Sequence, residues 1–170
     1  MTAPLEGLRI LDFSRVLAGP FATMHLADLG AEVVKVERPG SGDDTRAFGP
    51  PFSNGVSTYF LSINRGKRSI TLDLKSEEGR ATARALAAKA DVVIENFRPG
   101  VMKRLGLGPD VLRATNPRLV YCSISGFGRD VERAGYDLVI QGMGGIPSIS
   151  GAPEGAPMKC GASIADLVTG

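Results

Sequence analysis

The sequence predicts an α/β protein built on a doubly wound, mainly parallel sheet. Short runs of branched apolar residues, typical of buried strands, alternate with segments of helical character along the 170 residues. The connections between the first elements are only a few residues long, which favours parallel strands joined by right-handed crossovers. Glycine and proline, 22 and 11 in number, occur between these segments where turns are needed.

The first strand-helix-strand unit shows this alternation most clearly. Residues 8–13 form a predicted strand, and Pro20 begins a predicted helix over 20–29, since proline is tolerated at the first helical position. Gly30 suits the left-handed conformation that ends many helices. Residues 31–37 form the second predicted strand. Ligands of such units bind where the strands end.

The later elements continue the pattern after a polar loop. Residues 38–59 are rich in Pro, Gly, Ser and Asp, and a loop of this length is more often functional than decorative. Residues 60–63 are compatible with a helical turn or a strand. The remaining predicted elements are a strand at 69–74, a helix capped by Ser76 and ending near residue 90, a strand at 91–97, short helices beginning near Val101 and at Pro109, a strand at 119–124, a helix at 136–143, a loop at 144–157 and a buried apolar strand at 162–165.

Charge and cysteine content narrow the class of protein. The net charge is +2, with 20 basic and 18 acidic residues and no block of like charge, which argues against a nucleic-acid partner. Cys122 and Cys160 match no zinc or redox spacing, so we expect free buried thiols, no metal site and a reducing compartment.

The ends of the chain and its hydropathy give two further expectations. The first residues lack the basic and apolar regions of a signal peptide, and no run approaches the roughly 20 apolar residues of a membrane span, so a cytoplasmic location without membrane contact is predicted. The sequence stops four residues after Asp166, within a predicted helix, which indicates a fragment of a longer protein.

Motifs for the common nucleotide and hydrolase sites are absent from the sequence. The turn after the first strand has no G-x-G-x-x-G pattern, and the glycines at 142–145 do not follow a strand. The sequence contains no G-x-x-x-x-G-K-[ST] loop and no G-x-S-x-G elbow. Its one histidine, His25, lies inside a predicted helix and is interpreted as structural. A dinucleotide site and a histidine-based triad are therefore both disfavoured.

Cationic and polar residues gather instead around the predicted strand ends. Each one alone is interpreted most simply as a solvated surface residue. Because parallel strands bring their ends to one edge of the sheet, several of these residues together predict a site for a phosphorylated ligand with aromatic or apolar surface for a base. The residues are Arg15, Arg38, Lys67, Arg68, Asn96, Phe97, Arg98 and Arg104.

A single carboxylate, Asp166, follows the last apolar run. A helix is predicted to begin at residues 167–168, so the first interpretation of Asp166 is an N-cap that accepts hydrogen bonds from the first helical turn. The amides and dipole of a helix start would keep such a carboxylate ionised, as a nucleophile requires. The two roles are compatible.

Several motifs together resemble the class III coenzyme A transferases, also called the CaiB/BaiF family, which includes formyl-CoA transferase and the 2-methylacyl-CoA racemases. The resemblance covers the whole chain in order and at family-like spacing. The matching motifs are LDF at 11–13, AGP at 18–20, LGAEVVKVE at 29–37, GSGD at 40–43, TR at 45–46, NRGKRSI at 64–70, ENFRPG at 95–100, GYD at 135–137 and GASIADLVTG at 161–170.

The resemblance implies a Rossmann-like large domain joined to a smaller one, in two subunits that interlock as a homodimer. Residues 1–170 would form the N-terminal part of the large domain, with the small domain and the segment that returns to the large domain absent from this chain. The partners implied are an acyl-CoA and a carboxylic acid acceptor. Coenzyme A would be a substrate, with no permanently bound cofactor.

The resemblance also assigns site residues. Asp166 matches the catalytic aspartate of the family, and Arg15 and Leu17 depart from the formyl-CoA transferase pattern, which leaves the acyl group open. The residues that resemble coenzyme A contacts are Arg15, Val16, Ala18, Arg38, Lys67, Asn96, Phe97 and Arg104.

The triplet at 135–137 separates the two activities of the family. Racemases of the family carry Gly-His-Asp there, and the histidine serves as a second base. Here the middle residue is Tyr136, which with an ordinary pKa near 10 is a poor base at neutral pH, so transfer is favoured over racemisation. A racemase with another second base and a non-catalytic coenzyme A binding fragment remain alternatives.

The expected chemistry of transfer is covalent catalysis by Asp166 through an anhydride and an enzyme thioester. Amides near residues 142–145 are candidates for stabilising the negative charge on the carbonyl oxygen, and Tyr136 and Gln141 are candidates for orienting the acyl group.

Overall fold

The computed structural model describes residues 2–170; Met1, which the predicted domain and the signal-peptide assessment include, lies outside the described residues. Strands and helices alternate as predicted. The strands are β1 (Arg9–Asp12), β2 (Glu32–Glu37), β3 (Phe52–Ser53), β4 (Val56–Ser57), β5 (Arg68–Thr71), β6 (Val92–Glu95) and β7 (Val120–Ser123). The α-helices are α1 (Ala18–Asp28), α2 (Thr58–Asn64), α3 (Glu77–Ala87), α4 (Val101–Arg104), α5 (Pro109–Thr115), α6 (Asp137–Met143) and α7 (Ile164–Thr169).

Five parallel strands form one sheet in the order β5-β2-β1-β6-β7, which confirms the α/β class and the Rossmann-like, doubly wound topology. The strand order reverses between β1 and β6, where Ile10 pairs with Val92 and Asp12 with Ile94. In open sheets of this kind, ligands bind at the carboxyl ends of the strands beside such a reversal. A separate antiparallel hairpin consists of β3 and β4.

The core lies on both faces of the sheet. Leu11 of β1 packs into a cluster with Val93 and with Ala83 of α3, whereas its neighbour Ile10 packs on the other face with Val33. Successive side chains of a strand point to opposite faces, so one short strand contributes to both clusters. Each fully buried aliphatic side chain contributes roughly 1.5–3 kcal/mol, so this two-sided burial fixes the strand ends that carry the site.

Helix boundaries follow the predictions wherever a local cap specifies them. Ser76 accepts a hydrogen bond from the Gly79 amide at 3.0 Å, and Pro109 is the first residue of α5, as expected. Gly30, after α1, has a φ of +102°, the left-handed conformation that its position predicted. The start of α1 differs, because the helix begins at Ala18 rather than at Pro20.

The predicted strand at 162–165 is wrong. Residues from Ile164 onward form α7 instead, with Ser163 at its N-cap position. Four small and apolar residues are too few for periodicity to distinguish a strand from a helix, and here the packing of α7 against α1 and α6 decides between them.

The polar segment at 38–59 is more ordered than a loop. A 3₁₀ turn over Asp44–Ala47 is capped by Asp43, whose carboxylate accepts a hydrogen bond from the Thr45 amide at 3.0 Å. The β3–β4 hairpin follows it. Residues 60–63, predicted as a helical turn or a strand, belong to α2, which Ser57 caps.

Both cysteines are free thiols, but Cys122 is exposed, so the prediction that both are buried is wrong. Within residues 2–170, no helix combines the length and the apolar character that crossing a bilayer requires.

Candidate active site

Two adjacent cavities open at the carboxyl ends of the central strands. The first has a volume of about 660 Å³ and the second of about 580 Å³. Arg15 after β1 and Phe97 and Arg98 after β6 line both of them. The cavities therefore adjoin at the point where the strand order reverses, as the topology predicts.

Asn96 and Arg15 join the loops after β6 and β1. The Arg15 amide donates to Asn96 Oδ1 at 2.8 Å, and Asn96 Nδ2 donates to the Arg15 carbonyl at 2.6 Å. The Arg15 guanidinium lies 4.8 Å from the centroid of the Phe97 ring. The next residue, Val16, has a φ of +69°, which is rare for a β-branched residue and marks a backbone held by its surroundings.

The first cavity combines apolar walls with cations. Leu72, Leu74 and Phe97 contribute apolar surface, and Arg38 and Lys75 contribute positive charge. Arg38 is paired with Asp44 at 2.5 Å. This combination suits a ligand with a flat base and phosphates. Sequence reasoning missed Lys75, because residues 69–74 were predicted as strand, whereas β5 ends at Thr71 and the chain turns into the cavity.

Two ion pairs, Glu37–Arg46 and Lys35–Asp43, lie at the wall of the first cavity. Glu37 receives two hydrogen bonds of 2.6 Å from Arg46 and one from Ser69. Burial alone would raise the pKa of Glu37, but these hydrogen bonds outweigh burial and lower it to about 2. Lys35 pairs with Asp43 at 2.9 Å, and both side chains are buried. Lys35, Glu37 and Asp43 line the first cavity, and their charges are compensated by one another and by Arg46.

The second cavity contains Asp166, in the first turn of α7. Phe48, Arg133 and Tyr136 line the same cavity, as do the predicted residues Val16 and Ala18. The expectation that Asp166 is the N-cap is wrong, because Ser163 holds that position. Burial, and then the nearby carboxylate of Asp137, raises the pKa of Asp166, which is opposite to the effect predicted for a helix start.

The structure does not bring Lys67 to either cavity. Its ammonium group lies 2.8 Å from the Pro20 carbonyl, 2.9 Å from Asn64 Oδ1 and 3.3 Å from Asp12 Oδ2. Only 2% of its side chain is exposed. Burial, only partly offset by Asp12, lowers the pKa of Lys67 to about 8. In this position, Lys67 ties β1, α1 and α2 together.

Two other predicted cations also lie apart from the cavities. Arg104 of α4 is exposed, 4.0 Å from Glu132, and it does not line either cavity. Arg68 pairs with Glu32 at the amino end of β5, away from the site. Nor do the glycine amides at 144–145 face Asp166, since they donate to the carbonyls of Ile140 and Gly142.

Similarity to known proteins extends over nearly the whole chain. The family model described as CoA-transferase family III matches residues 5–170. A succinyl-CoA:glutarate CoA-transferase of Mus musculus is 52% identical over 170 residues, which cover 98% of this chain and 39% of that protein. A succinate–glutarate CoA-transferase of Agrobacterium fabrum is 52% identical over 176 residues, covering 98% of this chain and 44% of that protein.

One solved structure is similar to this chain over nearly its whole length. The crystal structure of a CAIB/BAIF family protein from Brucella suis has a TM-score of 0.94 and 52% identity, and the match covers 98% of this chain and 46% of that one. The present chain thus spans less than half the length of these similar proteins.

Proposed function

Because this chain belongs to CoA-transferase family III, we propose that the protein moves coenzyme A from an acyl-CoA thioester to a free carboxylic acid. The observation that carries the proposal is the position of Asp166, a half-buried carboxylate in a cavity of about 580 Å³. That cavity adjoins one with apolar and cationic walls. A nucleophile therefore lies next to a surface suited to a phosphorylated carrier.

The cavities divide the substrate between them in this proposal. The nucleotide end of coenzyme A lies in the first cavity, with its base against Phe97 and its phosphates near Arg38 and Lys75. The thioester reaches Asp166 past Arg15. Val16, Ala18 and Asn96 form the wall along which the carrier passes. The contacts predicted for Lys67 and Arg104 have no part in this arrangement.

Asp166 acts as the nucleophile. Its carboxylate attacks the thioester carbonyl of the donor, the carbon–sulfur bond breaks, and coenzyme A leaves as a thiolate, which gives a mixed anhydride of Asp166 and the donor acid. The thiolate attacks the aspartyl carbonyl and releases the donor acid, which leaves coenzyme A on Asp166 as a thioester. The acceptor carboxylate opens this thioester to a second anhydride. The thiolate then attacks the acceptor's acyl carbon, which releases the new thioester and regenerates Asp166.

The environment of Asp166 favours this role. A carboxylate whose pKa is raised by burial and by a like charge is a stronger nucleophile once it is ionised, because its electron pair is more basic. Every step exchanges one carboxylate or thiolate for another, so the sequence of steps requires neither a general base nor a permanently bound cofactor.

The residues around Asp166 favour transfer over racemisation. The residue at the position of the second base is Tyr136, which is 69% exposed. The sequence has a single histidine, His25. It lies in α1 with its ring against Phe21, and it does not line the cavity of Asp166. Within residues 2–170, no histidine therefore lies at the cavity of Asp166 to serve as a second base.

Short dicarboxylic acids are the proposed acyl groups. The similar proteins named above carry succinyl or succinate, together with glutarate, in their names. Arg133 lines the cavity of Asp166, with its guanidinium 5.0 Å from the centroid of the Phe127 ring, and it is suited to pair with a distal carboxylate. The interlocked homodimer, the division into a large and a small domain, and the cytoplasmic location remain part of this proposal.

The proposal is tested by replacing Asp166 in the full-length protein. Asp166→Asn and Asp166→Ala are assayed for transfer of coenzyme A from succinyl-CoA to glutarate, beside Asp110→Asn, which removes an exposed carboxylate from the first turn of α5. We expect a loss of at least about 1000-fold in both Asp166 variants and none in the control. Undiminished transfer, or exchange of the α-proton of a 2-methylacyl-CoA without transfer, would contradict the proposal.

A further inference from the structure

The helix that carries Asp166 is capped by a residue of another helix. Ser163, at the N-cap position of α7, makes no side-chain hydrogen bond to the helix. Instead, Asp137 at the first position of α6 accepts from the Ala165 amide at 2.9 Å and from the Asp166 amide at 3.3 Å, both through Oδ1. The backbone of Asp166 is therefore held by a carboxylate 29 residues earlier in the chain.

Gln141 fixes the orientation of that carboxylate. It lies one turn further along α6 and is fully buried. Its Nε2 donates to Asp137 Oδ2 at 2.6 Å and to the Ala162 carbonyl at 3.2 Å, and its Oε1 accepts from the Cys160 amide at 2.8 Å. Both oxygens of Asp137 are thus occupied, and α6 is tied to Cys160 and Ala162 before α7 and to Ala165 and Asp166 in its first turn.

We propose that Asp137 is the positioning residue of the transfer reaction: with Gln141 it holds the start of α7 so that the Asp166 carboxylate faces the cavity. This rests on the proposed function only for the role of Asp166, because the hydrogen bonds themselves are independent of the activity. Since a displacement of about 1 Å at a reacting group can cost about 100-fold in rate, such a clamp has a direct effect on catalysis.

The charge of Asp137 gives the proposal a second signature. Arg15, Asp44, Arg133 and Tyr136 line the same cavity as Asp166, and Tyr59 of α2 is close enough for Asp166 to raise its pKa, after burial. None of these groups raises the pKa of Asp166; the charge of Asp137 does so, after burial. Removing that charge while keeping the geometry lowers the pKa of Asp166.

Three variants separate geometry from charge. Asp137→Asn removes the charge and places an amide nitrogen against Gln141 Nε2. Two donors then face each other, and Gln141 Nε2 loses the oxygen that accepted its hydrogen bond. The double variant Asp137→Asn with Gln141→Glu restores that bond, because the new amide donates to the new carboxylate, whose other oxygen accepts from Cys160, while the Ala162 carbonyl loses its donor. It also moves the charge one turn away from Asp166. Asp110→Asn is the control at the start of another short helix.

Two measurements on the full-length protein test whether Asp137 positions Asp166. Hydrogen–deuterium exchange of the peptide 160–170 reports the clamp, and the pH dependence of acyl-enzyme formation in a single turnover reports the charge. For Asp137→Asn we expect faster exchange, a 10- to 100-fold slower plateau rate and an acid limb at lower pH. The double variant regains part of the protection from exchange and part of the rate, because the bond to the Ala162 carbonyl stays lost, while its acid limb stays at lower pH.

Other outcomes overturn the inference. Unchanged exchange in Asp137→Asn means that the clamp does not hold α7. Suppose that Asp137→Asn slows turnover without moving the acid limb, and that the double variant does not restore the rate. Asp137 then serves general stability. Failure of the proposed function gives a different pattern, because a protein without acyl transfer still shows faster exchange in Asp137→Asn, and carbon-13 titration of Asp166 still shows a lower pKa.

Discussion

Lys67 and Lys75 lie eight positions apart in sequence, on either side of β5, yet they have opposite surroundings. Lys67 is enclosed by Asp12, Asn64 and the Pro20 carbonyl, whereas Lys75 is exposed on the wall of the first cavity. A residue pattern reveals that a cation stands near a strand end. Only the fold reveals whether that cation faces the interior or a ligand.

Exchanging each lysine for methionine separates the two roles. Lys67→Met leaves the buried Asp12 without its cation, so we expect a loss of about 3–5 kcal/mol in the free energy of unfolding, measured with urea. Lys75→Met should change stability by less than about 0.5 kcal/mol. We expect it to weaken coenzyme A binding about fivefold in calorimetry. Weaker binding with unchanged stability in Lys67→Met would reverse the assignment.

The Glu37–Arg46 pair predicts a pH dependence of stability. Glu37 has a pKa of about 2 in the folded protein against an ordinary value of 4.5, so it contributes stability above pH 4.5 that is lost as the pH falls towards 2. A difference of that size corresponds to about 3 kcal/mol. Glu37→Gln should therefore be less stable than the wild type at neutral pH, and the gap should close on acidification. Urea unfolding at several pH values measures it, and a constant gap would contradict the prediction.

At the scale of elements, Asn96 joins the two loops that flank the reversal of strand order. It both accepts from and donates to the backbone of Arg15, and this bracket of two hydrogen bonds fixes the separation of the β1 and β6 loops. Nothing in the motif ENFRPG shows this bracket, because its partner lies 81 residues away. The resemblance nevertheless assigned Asn96 to the site, in a position where the structure shows it beside the second cavity.

Asn96→Ala tests the bracket against a matched control. The loss of two hydrogen bonds should cost about 1–3 kcal/mol of stability. It should also weaken coenzyme A binding about tenfold, because Arg15 is released. Asn116→Ala removes an amide that donates to the carbonyls of Ala87 and Ala90, away from the cavities, and should cost similar stability without affecting binding. Equal loss of binding in both variants would show that the effect is not specific to the bracket.

The element boundaries show where sequence reasoning succeeds. Caps are local, so Ser76 and Pro109 predicted the starts of α3 and α5. The start of α7 has no local cap, because Asp137 supplies it from α6. A cap supplied by a residue far away in sequence cannot be recognised from neighbouring positions. The run at 162–165 was therefore predicted as a strand.

At the scale of the whole molecule, alternation alone predicted the α/β class, because each short apolar run needs helices on both faces. The family resemblance supplied Asp166. Neither predicted that Arg15, Phe97 and Arg98 would be shared by two cavities, since this depends on the order of the strands. The arrangement brings the cavity of Asp166 next to the cavity with apolar and cationic walls, and it is the basis of the proposed transfer.

The central claim is that the carboxyl group of Asp166 is activated covalently, first as an anhydride and then as a thioester, and trapping that activated carboxyl group tests it most directly. The full-length protein is incubated with succinyl-CoA and hydroxylamine, which converts an activated carboxyl group to a hydroxamate, and the peptide that contains Asp166 is examined by mass spectrometry. We predict a hydroxamate on Asp166 that forms only when succinyl-CoA is present and is absent from Asp166→Asn. A hydroxamate on another residue, or none during active transfer, would contradict the account.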